Sequence, residues 1–361
     1  MSHLVVVAAG TGGHVMPGLA VAETLRSRGW TVSWLGTRIG MERSLVEPRG
    51  IAFDAIDFSS LRGKGVIALL LGGFRLLRAM WQSRAALRGR RPSVVFSTGG
   101  YVAVPAGLAA SMASVPLTLL NADAAPLLST RILRSLASAV FCGFDGAAAK
   151  LAGDRGLVTG NPVREQIAAL KPPAERFAPR SGPLNLLVIG GSLGSRVLNE
   201  TVAPALALLP PERRPRVVHQ CGAAHLQSTR AAYAGAEVAA EVIPFIDDIA
   251  RRYEAADLVI CRAGAITVTE LAAAGVASIL VPLVVSTTAH QRTNAEFMAA
   301  HGAAIHLPQP ELNAERLAAR LRELTRAGLL EMASKARALG RPDAAGVVAD
   351  AIEHIASEAR R

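Results

Sequence analysis

The chain has 361 residues, of which 51% are hydrophobic and only 4% aromatic, and it carries a formal net charge of +11. This length suits two domains of roughly 150 to 200 residues each. A composition rich in Ala, Leu, Val and Gly argues against a disordered chain or a β-sandwich and for alternating strands and helices. The three cysteines, at 142, 221 and 261, form no CxxC pair and have no histidine at ligand spacing, which argues against a disulfide framework or a zinc site.

The first strand-like run, Leu4 to Ala8, begins almost at the first residue, without a basic leader, and no run of about 20 apolar residues follows anywhere. The expectation is a protein of a reducing cytoplasm with no membrane span. In "VVVAAGTGGHVMPGLAVAETL" (5–25) that strand enters a glycine loop and then a helix, as in a nucleotide-binding turn. The loop has His14 where a dinucleotide fingerprint wants glycine, and "SWLGT" (33–37) ends the second strand without the acidic residue an NAD site needs.

Further strands are expected at Thr31 to Leu35, Val94 to Ser97 and Pro116 to Leu120, alternating with helices as βαβ units around a parallel sheet. Between them lies the basic part of the chain. Residues 1–165 hold 18 basic and 9 acidic residues against 21 and 19 in the remainder, and no acidic residue occurs between Asp57 and Asp123. Eight arginines and lysines fall in that gap, which predicts an anionic partner. Within it Leu70, Phe74, Leu77 and Trp81 recur at helical spacing, with Arg75, Arg78, Arg84 and Arg88 on or beside the stripe's flanks. The pattern fits a helix lying on an anionic bilayer, or alternatively a core-facing stripe with solvated arginines. The surplus is not interleaved with stacking aromatics, so nucleic acid is not the expected partner.

Five prolines in "GNPVREQIAALKPPAERFAPRSGP" (160–183) mark an interdomain linker over 164–183, between a first domain of residues 1–163 and a second of 184–343. A final helix over 344–361 is expected to pack back on the first domain. The second domain opens like the first, with strand, glycine loop and helix: "LLVIGGSLGSRVLNETV". Its amides after Gly191 begin a helix, where unpaired N–H groups and the helix dipole favour a phosphate, and Ser192 and Ser195 add hydroxyls. A tight packing turn is the simpler reading of those glycines. Further on, "CRAGAITVTELAAAG" (261–275) is another strand, glycine turn and helix. Glu270 in it is suited to accept hydrogen bonds from ribose hydroxyls, or only to stabilise the start of its helix. Two doubly wound domains of this kind would bring both glycine loops to the carboxyl ends of their strands, on either side of one cleft.

In this order, "GTGGHVMPGLAVAETL", "STGGYVAVPAGLAA", "GNPVR", "GGSLGSRVLN", "FIDDIA", "CRAGAITVTELAAAG" and "HQRTNA" closely resemble the MurG family of bacterial peptidoglycan glycosyltransferases, over about residue 3 to beyond 330. The resemblance implies a GT-B fold of two Rossmann-like domains, α/β in class. It also implies inverting transfer of N-acetylglucosamine (GlcNAc) from UDP-GlcNAc to the C4 hydroxyl of the muramoyl sugar of undecaprenyl-linked lipid I, giving lipid II. No cofactor and no metal in the binding site are implied. The enzyme would sit at the cytoplasmic face of the inner membrane, with other wall-synthesis and division proteins as further partners. Carried over by motif, Thr11, Gly12 and Gly13 close the first loop over the donor, Ser192 binds the diphosphate and Arg164 lies near the nucleotide. Ile246 meets the uracil, Ala265, Ile266, Thr267, Val268, Thr269 and Glu270 surround the nucleotide with Glu270 on the ribose, and Gln291 holds the donor sugar.

Two positions depart from the family pattern. Where family members carry His-Glu-Gln-Asn, this chain reads Leu120, Asn121, Ala122 and Asp123, so the donor-contacting Asn falls on Asp123, with Asn121 as its substitute if the loop shifts. Leu193 replaces the Gln of the family's GGSQG loop. An inverting transfer needs a base for the acceptor hydroxyl. His14 is the leading candidate and Asp123 the alternative; a His14 that only orients its loop or contacts the acceptor diphosphate is the competing reading. Other UDP-sugar enzymes of the same fold, such as a UDP-GlcNAc 2-epimerase or a glycolipid transferase, and a non-catalytic UDP-GlcNAc-binding scaffold are the rival functions.

Overall fold

A computed structural model describes residues 2–10, 12–59, 66–191, 193–283, 289–359 and 361, with the side chains of 66–71 and 289 outside the description. The chain divides into two compact units, one of Met1–Arg164 with Pro342–Arg361 and one of Glu165–Arg341.

The first unit is built on seven parallel strands: β1 (His3–Ala8), β2 (Thr31–Thr37), β3 (Ala52–Ile56), β4 (Val94–Gly99), β5 (Leu117–Asn121), β6 (Ala139–Cys142) and β7 (Gly156–Val158). Their order is β3-β2-β1-β4-β5-β6-β7. Val- and Leu-rich strands such as β1 and β4 are buried on both faces, as a parallel sheet covered by helices on two sides requires. On one side Gly18 of the helix Gly12–Ser27 lies against Trp34, where a Cβ would come within 2.8 Å of the indole. That fit lets the helix sit close to the sheet while Trp34 Nε1 donates to Ala8 O (3.1 Å).

The last helix, Ala344–Glu358, covers this same face, placing Val348, Ala349, Ile352 and Ala356 in one cluster with Leu19, Leu25 and Trp34. Arg28 donates to Asp350 (2.6 Å) and Glu353 (2.7 Å) at its edge.

The second unit holds β8 (Asn185–Ile189), β9 (Arg216–Gln220), β10 (Ala240–Ile243), β11 (Leu258–Cys261), β12 (Ser278–Leu280) and β13 (Ile305–His306), all parallel, in the order β10-β9-β8-β11-β12-β13. The proline-rich stretch read as a linker is not a bare tether. It forms the short helices Glu165–Ala168 and Pro173–Phe177 and buries Ile167 and Phe177. The buried Arg176 fastens it by donating to the carbonyls of Lys171, Tyr253, Ala274 and Gly275. Two of those carbonyls end the helix Ala265–Ala274, where a cation also complements the dipole. Burial pushes the Arg176 guanidinium down to about 10, still cationic at neutral pH. The prolines mark helix starts and turns, and one anchored arginine docks the segment that they punctuate.

Candidate functional site

Each sheet reverses its strand order once, between β1 and β4 in the first unit and between β8 and β11 in the second. In doubly wound sheets, ligands bind outside the carboxyl ends of the strands at such points. Both glycine loops lie there.

In the first unit β1 and β4 run side by side to Ala8 and Gly99, with a register shift after Val7. His14, in the first turn of the following helix, bridges the two strand ends. Its Nδ1 lies 2.9 Å from Thr98 O, and Thr98 Oγ1 donates back to His14 O (2.6 Å). A carbonyl oxygen only accepts, so Nδ1 carries the proton and Nε2 is the basic nitrogen of the neutral ring. The glycines of "STGGY" make this approach feasible. Gly99 (φ +104°) would put a Cβ 3.0 Å from His14 Nδ1, and Gly100 (φ +80°) would put one 2.1 Å from Ala9 O.

Beneath the loop lies a group that the sequence reading did not single out. Glu42 is fully buried; its Oε1 accepts from Thr37 N (2.8 Å) and Thr37 Oγ1 (2.6 Å), and its Oε2 from Gly10 N (3.4 Å). Thr37 Oγ1 also lies 3.4 Å from the hydroxyl of Tyr101, so the acid ties β2 to the first unit's segments at Gly10 and Tyr101.

Asn121, the substitute for the donor-contacting Asn if the loop shifts, is engaged within its own loop in this arrangement. It is fully buried, its Nδ2 donates to Asp123 O (2.7 Å) and Ala125 O (3.1 Å), and its Oδ1 accepts from Leu127 N and Thr130 Oγ1 (both 2.8 Å). All four of its hydrogen-bonding valences are spent on folding its own loop. Asn161 of "GNPVR" supports the loop from below through Ala122 O (2.8 Å). Asp123 is buried within it, at 6% exposure.

In the second unit an open pocket of about 590 Å³ occupies the reversal point, bordered by Gly190, Gly191, Leu193, Ser195, Arg262, Gly264, Thr267 and Gln291. Two helices, Arg196–Ala207 and Ala265–Ala274, begin at its wall, so their N-terminal amides supply positive potential there. Arg262 adds a full charge. It is held by Val281 O (3.2 Å) and Gln309 Oε1 (2.7 Å), and burial lowers its pKa from the usual arginine value. Sequence reading passed over it; the available signal was an arginine directly after the apolar strand "LVIC" and before a glycine turn.

Of the six residues 265–270, Thr267 borders the pocket. Val268 is buried in the core, Thr269 and Glu270 are nearly so, and Tyr253 O–H donates to Glu270 Oε2 at 3.5 Å. Ala265 and Ile266 are half-buried in the first turn, and Gln291 Oε1 accepts from Leu283 N (3.0 Å). Ser195 bounds its helix with a buried hydroxyl that finds no hydrogen-bond partner among the described residues. Ile246 lies half-buried in the loop after β10; Gly12, Gly13 and Arg164 are half-buried in the first unit. Thr11 and Ser192 lie outside the described residues.

On the helix Val66–Arg90, Ala79 and Leu87 face the core, whereas Phe74, Leu77 and Trp81 are 68%, 56% and 65% exposed. Arg75 and Arg78 flank them, also exposed; the side chain of Leu70 lies outside the description. Phe74, Leu77 and Trp81 of the apolar stripe therefore do not face the core.

The chain matches the glycosyltransferase family 28 N-terminal domain over residues 4–142 and the family 28 C-terminal domain over residues 185–348. It is 58% identical to a UDP-N-acetylglucosamine--N-acetylmuramyl-(pentapeptide) pyrophosphoryl-undecaprenol N-acetylglucosamine transferase of Methylibium petroleiphilum, over 98% of this chain and 97% of that protein. To the transferase of the same name from Chromobacterium violaceum it is 55% identical, over 98% and 99%. Among solved structures it superimposes on MurG of Acinetobacter baumannii with a TM-score of 0.83 at 38% identity, over 98% of this chain and 100% of that one. With two doubly wound parallel-sheet domains and both family domains matched in order, the chain belongs to glycosyltransferase family 28 and has its GT-B fold.

Proposed function

We propose that this protein transfers GlcNAc from UDP-GlcNAc to the C4 hydroxyl of the muramoyl sugar of undecaprenyl-pyrophosphoryl-MurNAc-pentapeptide, making lipid II for peptidoglycan synthesis. The observation that carries the reading is the end-to-end identity with transferases named for this donor and acceptor. The pocket of the second unit supports it, since a glycine loop, two helix N-termini and Arg262 form a diphosphate-compatible wall. In the reaction the acceptor O4 attacks C1 of the GlcNAc, the C1–O bond to UDP breaks with inversion, and the O4 proton passes to a base. His14 Nε2 is that base, in the tautomer set by Thr98 O; Asp123 is the alternative. Positive potential at the second loop stabilises the diphosphate as it takes up the leaving electron pair. Glu270 serves the ribose, Ile246 the uracil and Gln291 the sugar.

Lipid I keeps its diphosphate at a membrane surface, and the exposed Phe74, Leu77 and Trp81 between arginines suit that surface. Among the described residues no helix is long and apolar enough to cross a membrane. The reading is of a peripheral enzyme on the cytoplasmic face of the inner membrane, whose product supports cell shape and division.

UDP release measured with and without a lipid I analogue tests the function. Release that depends on the acceptor is expected; acceptor-independent turnover would indicate an epimerase or hydrolase, and none a scaffold. Binding to anionic vesicles should be salt-sensitive and should weaken on charge reversal at Arg75, Arg78 and Arg84. Unchanged binding would reject the membrane assignment.

A further inference from the structure

The second glycine loop is held by a side chain that does not border its pocket. Gln220, the last residue of β9, is 3% exposed. Its Oε1 accepts from Gly190 N (3.1 Å) and Gly191 N (3.2 Å), and its Nε2 donates to Gly191 O (3.0 Å) and Pro244 O (3.1 Å). Both valences of the oxygen and both hydrogens of the nitrogen are used. The partners fix the amide's orientation, because the oxygen faces two N–H groups and the nitrogen faces two carbonyls. One buried neutral group thereby connects the strand end at β8, which opens the glycine loop, to the segment after β10, two residues before Ile246.

Backbone hydrogen bonds support the same loop, with Gly190 N donating also to Gln220 O (3.1 Å) and Gly194 N to Gly191 O (2.9 Å). Gly194 (φ +80°) passes so close to β9 that a Cβ would stand 1.9 Å from Cys221 O, and Gly222 (φ +86°) would put one 2.6 Å from Leu193 O. Glycine is required at both crossings, so the backbone there is conformationally permissive. To the backbone bonds the Gln220 amide adds a side-chain constraint, and its bond to Pro244 O ties the loop to the segment after β10.

We infer that Gln220 is a positioning residue for the nucleotide diphosphate: it sets the glycine loop and couples it to the uracil-side segment at 244–246, without touching the ligand. The inference rests on the donor reading above and deepens it. It requires that a neutral amide stand at this position. A carboxylate in its place keeps two acceptors, loses both donors to Gly191 O and Pro244 O, and sets a negative charge behind a loop meant for a diphosphate.

The test is UDP binding by calorimetry to the full-length protein and to Gln220→Glu and Gln220→Met, alongside steady-state kinetics. For Gln220→Glu, a rise of about tenfold or more is expected in the Kd for UDP and in KM for UDP-GlcNAc, with kcat within about threefold and acceptor KM unchanged. Lowering the pH from about 8 to about 5.5 should restore part of the UDP affinity in Gln220→Glu relative to the unsubstituted protein, because a protonated acid regains one donor. Urea unfolding of Gln220→Glu at both pH values separates this from a role in folding alone, which would require the folded fraction to rise in parallel with the affinity. If Gln220→Glu does not fold, the nearly isosteric Gln220→Met decides through the same Kd. A folded variant that binds UDP within about twofold of the unsubstituted protein overturns the inference. Failure of the unsubstituted protein itself to bind UDP would overturn the donor reading instead.

Discussion

The two glycine loops occupy equivalent places, each at the point where a parallel sheet reverses its order, yet they are secured by groups of different charge. In the first, the buried Glu42 accepts from Gly10 N, and the His14 ring bridges to Thr98 O. In the second, the loop amides of Gly190 and Gly191 meet a neutral Gln220, and an arginine borders the pocket. An acidic side chain on a loop amide opposes a diphosphate at that amide, whereas a neutral clamp and two helix N-termini favour one. Under the proposed function, equivalent topology permits a division of labour, with proton handling at the first loop and anion binding at the second.

The sharpest way to break this comparison is His14→Ala. Loss of a general base is expected to lower kcat by about 10²- to 10⁴-fold while UDP affinity stays nearly constant. Ordinary turnover in that variant, together with a comparable collapse in Asp123→Asn, would move the base to Asp123.

Next comes Glu42→Ala, which leaves Thr37 N and Oγ1 without their buried acceptor. A loss of about 1–3 kcal/mol in urea unfolding is expected, together with lower kcat and unchanged UDP affinity. Weakened UDP binding would show that the first loop also grips the donor.

The effect with the least bearing on turnover concerns His219, beside Gln220 on β9. Tyr233 O–H donates to its Nδ1 (2.9 Å), its Nε2 donates to Asn199 Oδ1 (3.0 Å), and burial pushes its pKa down to about 4. The folded protein therefore keeps His219 neutral between about pH 6.5 and about pH 4, where the unfolded chain takes up a proton. Stability conferred by this group is complete above the unfolded pKa and falls as the pH drops through that window. The loss should reach about 2 kcal/mol near pH 5, and His219→Gln should flatten the dependence in denaturant titrations across that range. An unaltered pH dependence in the variant would show that His219 does not set it.

Much of this arrangement was legible in the sequence, because apolar strands of four to six residues ending in glycine turns specify doubly wound sheets almost by themselves. The loops around His14 and Gly191, and the exposed alternative for the Phe74–Trp81 stripe, could be read from spacing. The supports could not. Glu42 reaches Gly10 and Gln220 reaches Gly190 and Gly191 across about 30 residues of sequence, and a polar residue in a loop or at a strand end has the same appearance whether it faces solvent or a buried amide. Asn121 shows the converse, since residue type suggested a ligand contact while its amide is fully engaged with its own loop. The proline pattern at 162–183 identified breaks in the chain but not the burial of Arg176, which depends on carbonyls about 80 to 100 residues away in sequence.

The closing helix at Ala344–Glu358 makes the second unit, in chain order, an insertion within the first. During synthesis from the amino end, Leu19, Leu25 and Trp34 of the first unit must wait for Val348, Ile352 and Ala356, which follow the whole second unit in the chain. The second unit has every strand of its sheet before that moment. The first unit is therefore completed after the second, and a nascent chain stalled near residue 341 would display an apolar face for chaperones or proteases to read.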